Sequence, residues 1–290
     1  MKKVMVGECE FELGGKYITE MRDSNDILDD TEALRERMQE DGYLLIRGLH
    51  DRNEVLEARL EGLHILNDRG ELDPNYPVEE AVIGAGSRGG MYTNEKLPKL
   101  QKVVEGHRIM EFFDRFLGGE SMTFDFKWAR NVGKGESSAA HYDIVYMGRG
   151  TKNLYTAWTP LCDISYEMGG VCVCLGSQNL EKIKQTYGQM DVDRDDISGE
   201  GFSKDPIEMV DKFGCKWATT EYRAGDVLIF GMYLMHGSLT NTTNQFRTSV
   251  DTRFQLRSEP VDERWVGAKP RGHYQSGKGS MEEARAKWGV

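Results

Sequence analysis

The feature that most constrains the fold of this 290-residue chain is a change in its pattern at about Ser121. Stretches of helical composition dominate before that point. After it, the segments are short, rich in β-branched and aromatic residues, and bounded by Gly, Pro, Asn or Asp, as β-strands usually are. Helices gathered early and strands gathered late predict an α+β fold whose β part is a sandwich or a barrel.

The helix-rich part, residues 1–120, is expected to support the β part. Glycines mark the ends of two of its helices, because a helix commonly terminates at a glycine in the left-handed conformation. The predicted elements are a helix at 31–41 that ends at Gly42, a strand at 43–49, a helix at 51–69, and a helical zone in two pieces at 97–117 that ends at Gly118.

The β-rich part, residues 121–256, is interrupted at 178–214 by an insertion with helical stretches of its own. A long insertion of this kind often forms a lid or a binding loop, and together with the glycine-rich loop at 84–90 it is expected to close over a ligand. A polar tail follows at 257–290. The predicted strands are 122–130, 153–160, 170–175, 214–222, 226–234 and 247–256, and a last helix is predicted at 281–288. Neither an internal repeat nor a clear linker is visible, so residues 1–290 are predicted to form one domain.

The charge and the distribution of apolar residues argue against two classes of protein. The net charge is −11 and no basic stripe is visible, which disfavours a nucleic acid as partner or substrate. No apolar run approaches the roughly 20 residues that span a bilayer, and acidic residues interrupt the start before a secretory signal develops. The 5 cysteines, among them Cys172 and Cys174, are expected to be reduced core residues, so a cytoplasmic location is predicted.

His141 and Asp143, in A-A-H-Y-D-I-V-Y, are spaced as two ligands of one metal would be on a strand. Residues i and i+2 of a strand point to the same side, so both side chains would face inward while Tyr142 points outward. Two histidines and one carboxylate on one face are the ligand set of non-haem Fe(II) oxygenases, and they leave positions at the metal open. With 6 His and 48 acidic residues in the chain, however, about one such pair is expected by chance.

The third ligand would have to be a histidine from another strand, and His236 is the best placed of the candidates. It closes the most apolar strand of the chain, although a histidine in that position can also be an ordinary core or edge residue. Further on, Arg247 opens another strand, and a fixed, always charged guanidinium suits a ligand that carries a carboxylate. Arg253, on the same face of that strand, is a rival for this role.

These residues resemble the phytanoyl-CoA dioxygenase family of Fe(II)/2-oxoglutarate oxygenases. The resemblance runs from E-D-G-Y-L-L-I-R-G-L to about Val266, and its most specific parts are H-Y-D at 141–143, W-T-P-L-C-D-I-S-Y-E-M-G-G-V-C-V-C-L-G-S at 158–177, and G-D-V-L-I-F, H-G-S and an arginine within 225–247. It implies a double-stranded β-helix, which is a cupin-like jelly roll. It also implies an enzyme that uses Fe(II), 2-oxoglutarate and O2 to hydroxylate, desaturate or epimerise a small organic molecule, with release of succinate and CO2.

Carried over position by position, the resemblance implies that His141, Asp143 and His236 are the iron ligands. Halogenases of this fold lack the carboxylate, which leaves a site for chloride at the metal. The presence of Asp143 therefore disfavours halogenation.

The same resemblance implies three residues that contact the co-substrate or lie beside it. Arg247 corresponds to the partner of the C5 carboxylate of 2-oxoglutarate, and Ser238 to a hydroxyl that supports that carboxylate. Trp158 occupies the position of a tryptophan beside the metal, although a core aromatic residue would fit the same pattern. A further co-substrate contact from the N-terminal part is left open between Arg88 and Lys96.

Three other interpretations remain. Gly84, Gly86 and Gly89 satisfy G-x-G-x-x-G, but a dinucleotide site needs a helix directly afterwards, and Pro98 follows closely instead. A jelly-roll binding protein without turnover would show the same pocket residues. A non-oxygenase metal cupin is the third interpretation, although such proteins usually use more histidines.

The sequence favours a free small organic molecule as the substrate. The acidic surface disfavours a polyanion, and no basic cluster is visible that would hold the phosphates of a CoA group. Tyr146, Tyr155 and Trp158 are candidates to line an apolar pocket, although aromatic residues in strands more often belong to the core.

Overall fold

The structure is a computed structural model that describes residues 2–87, 89–91, 97–273 and 279–290. Its strands are β1 (Lys3–Val6), β2 (Cys9–Glu12), β3 (Ile18–Glu20), β4 (Tyr43–Ile46), β5 (Gly90–Met91), β6 (Ser121–Thr123), β7 (Trp128–Val132), β8 (Tyr155–Pro160), β9 (Val171–Leu175), β10 (Lys216–Thr219), β11 (Val227–Gly231), β12 (His236–Ser238) and β13 (Arg247–Leu256). Its α-helices are α1 (Thr31–Asp41), α2 (Arg52–Asp68), α3 (Pro98–Val104), α4 (His107–Leu117), α5 (Ile144–Met147), α6 (Glu181–Gln185), α7 (Pro206–Asp211) and α8 (Met281–Trp288).

Two β-sheets face each other across a common core. The major sheet has the strand order β4-β11-β8-β13-β7-β5, with β6 paired to β13, and the minor sheet has the order β12-β9-β10-β3. Trp158 and Leu228 of the major sheet share one hydrophobic cluster with Val173 and Ala218 of the minor sheet. Two stacked sheets of this kind form the double-stranded β-helix that the sequence predicted.

The helices of the N-terminal part cover the outer face of the major sheet. Ala157 and Ile229 lie next to each other on β8 and β11, and their side chains belong to a cluster with Leu34 of α1 and Phe113 of α4. Since strand residues alternate between faces, the neighbouring Trp158 points to the inner face. Helices α1 and α4 therefore pack on the outer face of the major sheet, and the inner face is left for a site.

Most elements lie where the sequence predicted them. Helix α1 matches 31–41 and ends at Gly42, whose φ of 80° is the left-handed conformation that favours glycine. The predicted helical zone at 97–117 is divided into α3 and α4, and α8 matches the predicted last helix. Cys172 and Cys174 are fully buried free cysteines, as expected.

The strands differ from the prediction in two places. The stretch 122–130 forms two strands, because between them the backbone N–H of Phe126 leaves the sheet and donates to the carbonyl of Trp265. The hairpin β1–β2 and strand β3 were not predicted, since strands of three or four residues are too short for an alternating pattern to stand out.

The insertion at 178–214 is fastened to the rest of the chain by ion pairs. Arg149 contacts Asp191 of the insertion with an N···O distance of 2.7 Å, and Arg264 in the tail contacts Asp193 with an N···O distance of 2.7 Å. The Asp191 and Asp193 side chains are both buried, and salt screens such pairs less than exposed ones. The insertion is therefore connected to the segment before β8 through Arg149 and to the tail through Arg264.

Of the helices in the described part of the chain, none combines the length and the apolar content that a membrane span requires. The assignment of residues 1–290 to a single domain stays a prediction.

Candidate metal centre

The backbone places two histidines opposite each other on the inner face of the β-helix. His141 and His236 form an isolated antiparallel bridge, in which the N–H of each residue donates to the carbonyl of the other at 3.0 Å. Their Nδ1 atoms lie 2.8 Å and 3.0 Å from the carbonyl oxygens of Ala139 and Leu234, respectively. Because a carbonyl only accepts, Nδ1 of each ring carries the proton, and Nε2 is the atom that is free to bind a metal.

Asp143 brings a carboxylate to the same point. Its Oδ1 atom lies 3.8 Å from Nε2 of His141 and 3.7 Å from Nε2 of His236. One ligand atom from each of the three residues lies within 4.8 Å of the other two. Two imidazoles and one carboxylate grouped in this way have the donor chemistry of a non-haem iron site.

The second oxygen of Asp143 is held from the opposite side. Its Oδ2 atom accepts a hydrogen bond from the hydroxyl of Thr156 on β8 and lies 3.1 Å from Nη2 of Arg253 on β13. Both partners are almost completely buried. These two contacts turn Oδ1 towards the imidazoles, so that the carboxylate offers one oxygen to a metal.

The protonation states suit metal binding. Burial, together with the neighbouring His236, lowers the pKa of His141 to about 4, and burial lowers the pKa of His236 as well. Burial acts to raise the pKa of Asp143, but the Arg253 guanidinium, the two imidazoles and the Thr156 hydroxyl outweigh it and hold that pKa below its usual value. At neutral pH the site thus offers two neutral imidazoles and one carboxylate, which are the forms that bind metal ions.

Arg247 lies at the start of β13, on the same inner face. Its side chain is 2% exposed, its Nη1 atom donates to the Ser249 hydroxyl at 2.7 Å, and its Nε atom has no hydrogen-bond partner in the described part of the chain. Burial lowers the pKa of this guanidinium to about 10. A buried guanidinium that lacks a carboxylate partner is costly, and an incoming carboxylate would satisfy it.

Ser238 and Trp158 line the same cavity of about 410 Å³ as the histidines and Arg247. The Ser238 hydroxyl accepts a hydrogen bond from the N–H of Ser138 at 2.9 Å, which leaves its own proton for a ligand. The Trp158 ring packs against Tyr222 with centroids 4.7 Å apart and lies 5.8 Å from the guanidinium carbon of Arg247. The structure thus brings all six residues predicted for the site to one cavity.

Two local predictions about the ligands are wrong. Asp143 does not follow His141 along a strand, because it directly precedes helix α5, and Tyr142 points into the core, where its hydroxyl donates to the carbonyl of Ser177 at 2.6 Å. His236 does not close β11 but opens β12 in the minor sheet, since the chain crosses between the sheets just before it.

The structure shows which of the two candidate arginines is free to bind a co-substrate and which of the three candidate aromatic residues line the cavity. Arg253 contacts Asp143, so it is not free for a second carboxylate. Tyr146 and Trp158 line the cavity, whereas Tyr155 packs against Phe116 under the helices, because it alternates with the inward-facing Thr156. The prediction for Tyr155 is therefore wrong.

Several residues of the site were not found by sequence reasoning. Thr156, Arg130, Asp251 and His273 line the cavity, and Gly199 to Gly201 bring the insertion to its wall. The sequence carries no signal for the Thr156 contact, because the pairing of strands fixes it. The open candidates Arg88 and Lys96 lie outside the described residues.

The glycine-rich loop does not have the geometry of a dinucleotide site. Gly89 is followed by β5, which pairs with β7, so the required helix does not begin there. The loop therefore ends beside the strand that carries Arg130.

The model of the phytanoyl-CoA dioxygenase (PhyH) family matches residues 38–249. The chain belongs to the phytanoyl-CoA dioxygenase family. This member of the family is accordingly an Fe(II)- and 2-oxoglutarate-dependent oxygenase, with O2 as the second co-substrate. It is 27% identical over 253 residues to the 1-deoxypentalenic acid 11-beta-hydroxylase of Streptomyces exfoliatus, a match that covers 81% of this chain and 85% of the relative.

Solved structures show the same fold for this phytanoyl-CoA dioxygenase family member. The epimerase SnoN, in complex with Fe3+, alpha ketoglutarate and nogalamycin RO, matches with a TM-score of 0.58 at 21% identity, over 86% of this chain and 96% of SnoN. EctD from S. alaskensis, with 2-oxoglutarate and 5-hydroxyectoine, matches with a TM-score of 0.57 at 18% identity, over 86% of this chain and 88% of EctD. The predicted cupin-like jelly roll is confirmed.

Proposed function

We propose that His141, Asp143 and His236 bind the Fe(II) ion, and that Arg247 binds the C5 carboxylate of 2-oxoglutarate, in an enzyme that hydroxylates a free small organic molecule. The observation that supports this most directly is the grouping of one atom from each of the three ligands within 4.8 Å. The same cavity contains the buried guanidinium of Arg247, which has no carboxylate partner among the residues that the structure describes.

The side chains of the cavity would have distinct tasks. Bound Fe(II), with 2-oxoglutarate and O2, supplies the oxidant for a C–H bond and releases succinate and CO2. Arg247 would fix the far end of 2-oxoglutarate by a bidentate contact, and the Ser238 hydroxyl would donate a second hydrogen bond to the same carboxylate. Trp158 forms the wall beside them, and the insertion at Gly199 to Gly201 keeps water from the reacting atoms.

The size of the cavity supports a small substrate. Its volume of about 410 Å³ falls in the range of roughly 300–1,000 Å³ that is usual for small-molecule sites. The name of the Streptomyces exfoliatus relative states that it hydroxylates 1-deoxypentalenic acid, which supports hydroxylation of a small organic molecule here. The net charge of −11 speaks against nucleic acid, and we propose a cytoplasmic location, in keeping with five free cysteines.

Anaerobic titration of the metal-free protein with Fe(II) and 2-oxoglutarate tests the proposal. We expect a weak visible charge-transfer band when both are present, and release of succinate once oxygen is admitted. A screen of metabolites for those that accelerate succinate release would then identify the substrate. A band without succinate release would indicate a binding protein, and the absence of a band would contradict the ligand assignment.

Replacing Arg253 by glutamine is expected to weaken metal binding without weakening 2-oxoglutarate binding. The change removes the cation beside Oδ2 of Asp143, and loss of a group that orients a metal ligand typically costs roughly 10–100-fold in metal affinity. Calorimetric titration with Co(II) measures the first quantity, and titration of 2-oxoglutarate at saturating metal measures the second.

The control for this variant is Arg257→Gln, which removes an exposed arginine paired with Glu120 outside the cavity. We expect wild-type metal affinity for the control. If Arg253→Gln instead raised the 2-oxoglutarate requirement and left metal affinity unchanged, Arg253 and not Arg247 would be the co-substrate residue.

A further inference from the structure

A third arginine of the cavity contacts the inner face of β13, and the proposed function gives this arginine no role. Asp251 on this strand accepts a hydrogen bond at 2.8 Å from Nε of Arg130, which lies on the neighbouring strand β7. Both residues line the cavity together with His141 and Tyr146. The pair is therefore part of the active cavity, although neither residue belongs to the metal ligands or to the 2-oxoglutarate contacts.

Arg130 uses only one side of its guanidinium in this contact. Nε is its only atom in a side-chain hydrogen bond, so both terminal amino groups, Nη1 and Nη2, are left without a partner in the described part of the chain. The planar fork of these two groups has the geometry that binds a carboxylate through two parallel hydrogen bonds. The contact with Asp251 fixes the orientation of that fork.

The exposure of Arg130 distinguishes it from the other two arginines of the cavity. Its side chain is 38% exposed, whereas Arg247 and Arg253 are each 2% exposed. Arg130 also lines an adjoining outer depression with Gly90, Ser137 and Ser138. It is therefore the most accessible of the three arginines.

The charges of the cavity leave one cation unmatched. Of the acidic side chains in the lining, Glu200 is already paired with Lys204 at 2.6 Å. Two carboxylates, Asp143 and Asp251, then oppose three guanidinium groups. Imidazoles that bind a metal are neutral, and the charges of Fe(II) and 2-oxoglutarate are equal and opposite. The lining therefore keeps an excess of one positive charge when the metal and 2-oxoglutarate are bound, which favours an anionic substrate.

We infer that Arg130 binds a carboxylate of the substrate, so that the molecule oxidised by this enzyme is an organic acid. The inference rests on the proposed function, because the C5 carboxylate of 2-oxoglutarate must bind Arg247 for Arg130 to remain available. The C1 carboxylate of 2-oxoglutarate is the other carboxylate that is available to bind Arg130. A substrate carboxylate is favoured because the metal would hold the C1 end of 2-oxoglutarate, and because Arg130 is the most accessible of the three arginines.

Matched acids and amides test this inference on the Fe(II)–2-oxoglutarate enzyme under anaerobic conditions. The probes are benzoic, cyclohexanecarboxylic and hexanoic acid, each compared with its primary amide, and the readout is the change in the visible charge-transfer band. In the wild-type enzyme we expect at least one acid to bind roughly 10-fold or more tightly than its amide, because a hydrogen bond to a charged group is the stronger one. Equal or undetectable binding of every acid and its amide would overturn the inference.

Variants then test whether Arg130 causes the preference for acids over amides. Arg130→Gln, which keeps a donor near Asp251 but loses the cation, is expected to remove the preference for acids and to leave the 2-oxoglutarate dissociation constant unchanged. Arg130→Lys is expected to keep part of the preference, and the exposed Arg257→Gln all of it. A rise in the 2-oxoglutarate dissociation constant of Arg130→Gln, with the acid preference retained, would assign Arg130 to the co-substrate and overturn the inference.

The charge-transfer band itself is recorded before any acid is added. Its absence in the wild-type enzyme would mean that the proposed function fails. Its presence, without any preference for acids, would mean that only the inference about Arg130 fails.

Discussion

Replacement of His236 by alanine is expected to abolish succinate formation and metal binding while the protein stays folded. The Nε2 atom of His236 is one of the three atoms grouped at the site. Loss of a group that only supports a ligand costs roughly 10–100-fold in metal affinity, so loss of the ligand itself is expected to cost more than about 100-fold. His141→Ala is expected to give the same result.

The fold is expected to survive because the contact between these two residues is made by the backbone. The hydrogen bonds of the bridge join main-chain atoms at 3.0 Å and do not require the imidazoles. The side chain of His236 packs on the Phe230 ring with centroids 4.3 Å apart and borders the cavity, so truncation extends an existing space instead of opening a sealed one.

Co(II) calorimetry, succinate release and circular dichroism check this prediction together. His107→Gln is the matched control, because it removes a histidine that is 78% exposed on α4 and does not line the cavity. Wild-type succinate release in either His236→Ala or His141→Ala would refute the assignment of the ligands.

Replacement of Arg247 by methionine is expected to raise the dissociation constant of 2-oxoglutarate strongly and to leave metal binding unchanged. Truncating one member of a buried, hydrogen-bonded charge pair costs about 2–4 kcal/mol, which corresponds to roughly 30–1,000-fold in the dissociation constant. The turnover number at saturating 2-oxoglutarate is expected to fall much less, because the metal ligands are intact.

The same variant is expected to be at least as stable as the wild type when 2-oxoglutarate is absent. The lowered pKa of about 10 for Arg247 reflects the cost of burying its charge without a carboxylate, and methionine removes that charge at similar volume. Thermal unfolding with and without 2-oxoglutarate measures both effects, since the co-substrate is expected to stabilise the wild type alone. Equal stabilisation of the variant would show that Arg247 does not bind 2-oxoglutarate.

The sequence predicted which side chains meet in the cavity better than it predicted the local structure around them. Residue types and their order along the chain were sufficient to select His141, Asp143 and His236, which the structure groups within 4.8 Å of one another. The expected strand under Asp143 was wrong, since the chain enters α5 at that point. A spacing of two residues can place two side chains on one side of a cavity through a turn as well as through a strand.

The remaining contacts of the site depend on which strands are neighbours. Thr156 and Arg253 meet Asp143 because β8 and β13 pair with these two residues directly opposite each other. Alternation within each strand shows which side chains share a face, but the pairing between distant strands is a property of the whole sheet. For the same reason the sequence left Arg247 and Arg253 as rivals, although only one of them is free for a co-substrate.

The main-chain bridge between His141 and His236 has a consequence for how chains of this kind diverge. Two of the three proposed ligands are joined to each other by main-chain hydrogen bonds, whereas Asp143 is fixed in place by side-chain contacts to Thr156 and Arg253. A single substitution at position 143 is therefore expected to remove one proposed metal ligand while the imidazole pair keeps its spacing. The reaction that such proteins catalyse can thus change through one amino-acid substitution, while the two β-sheets keep their structure.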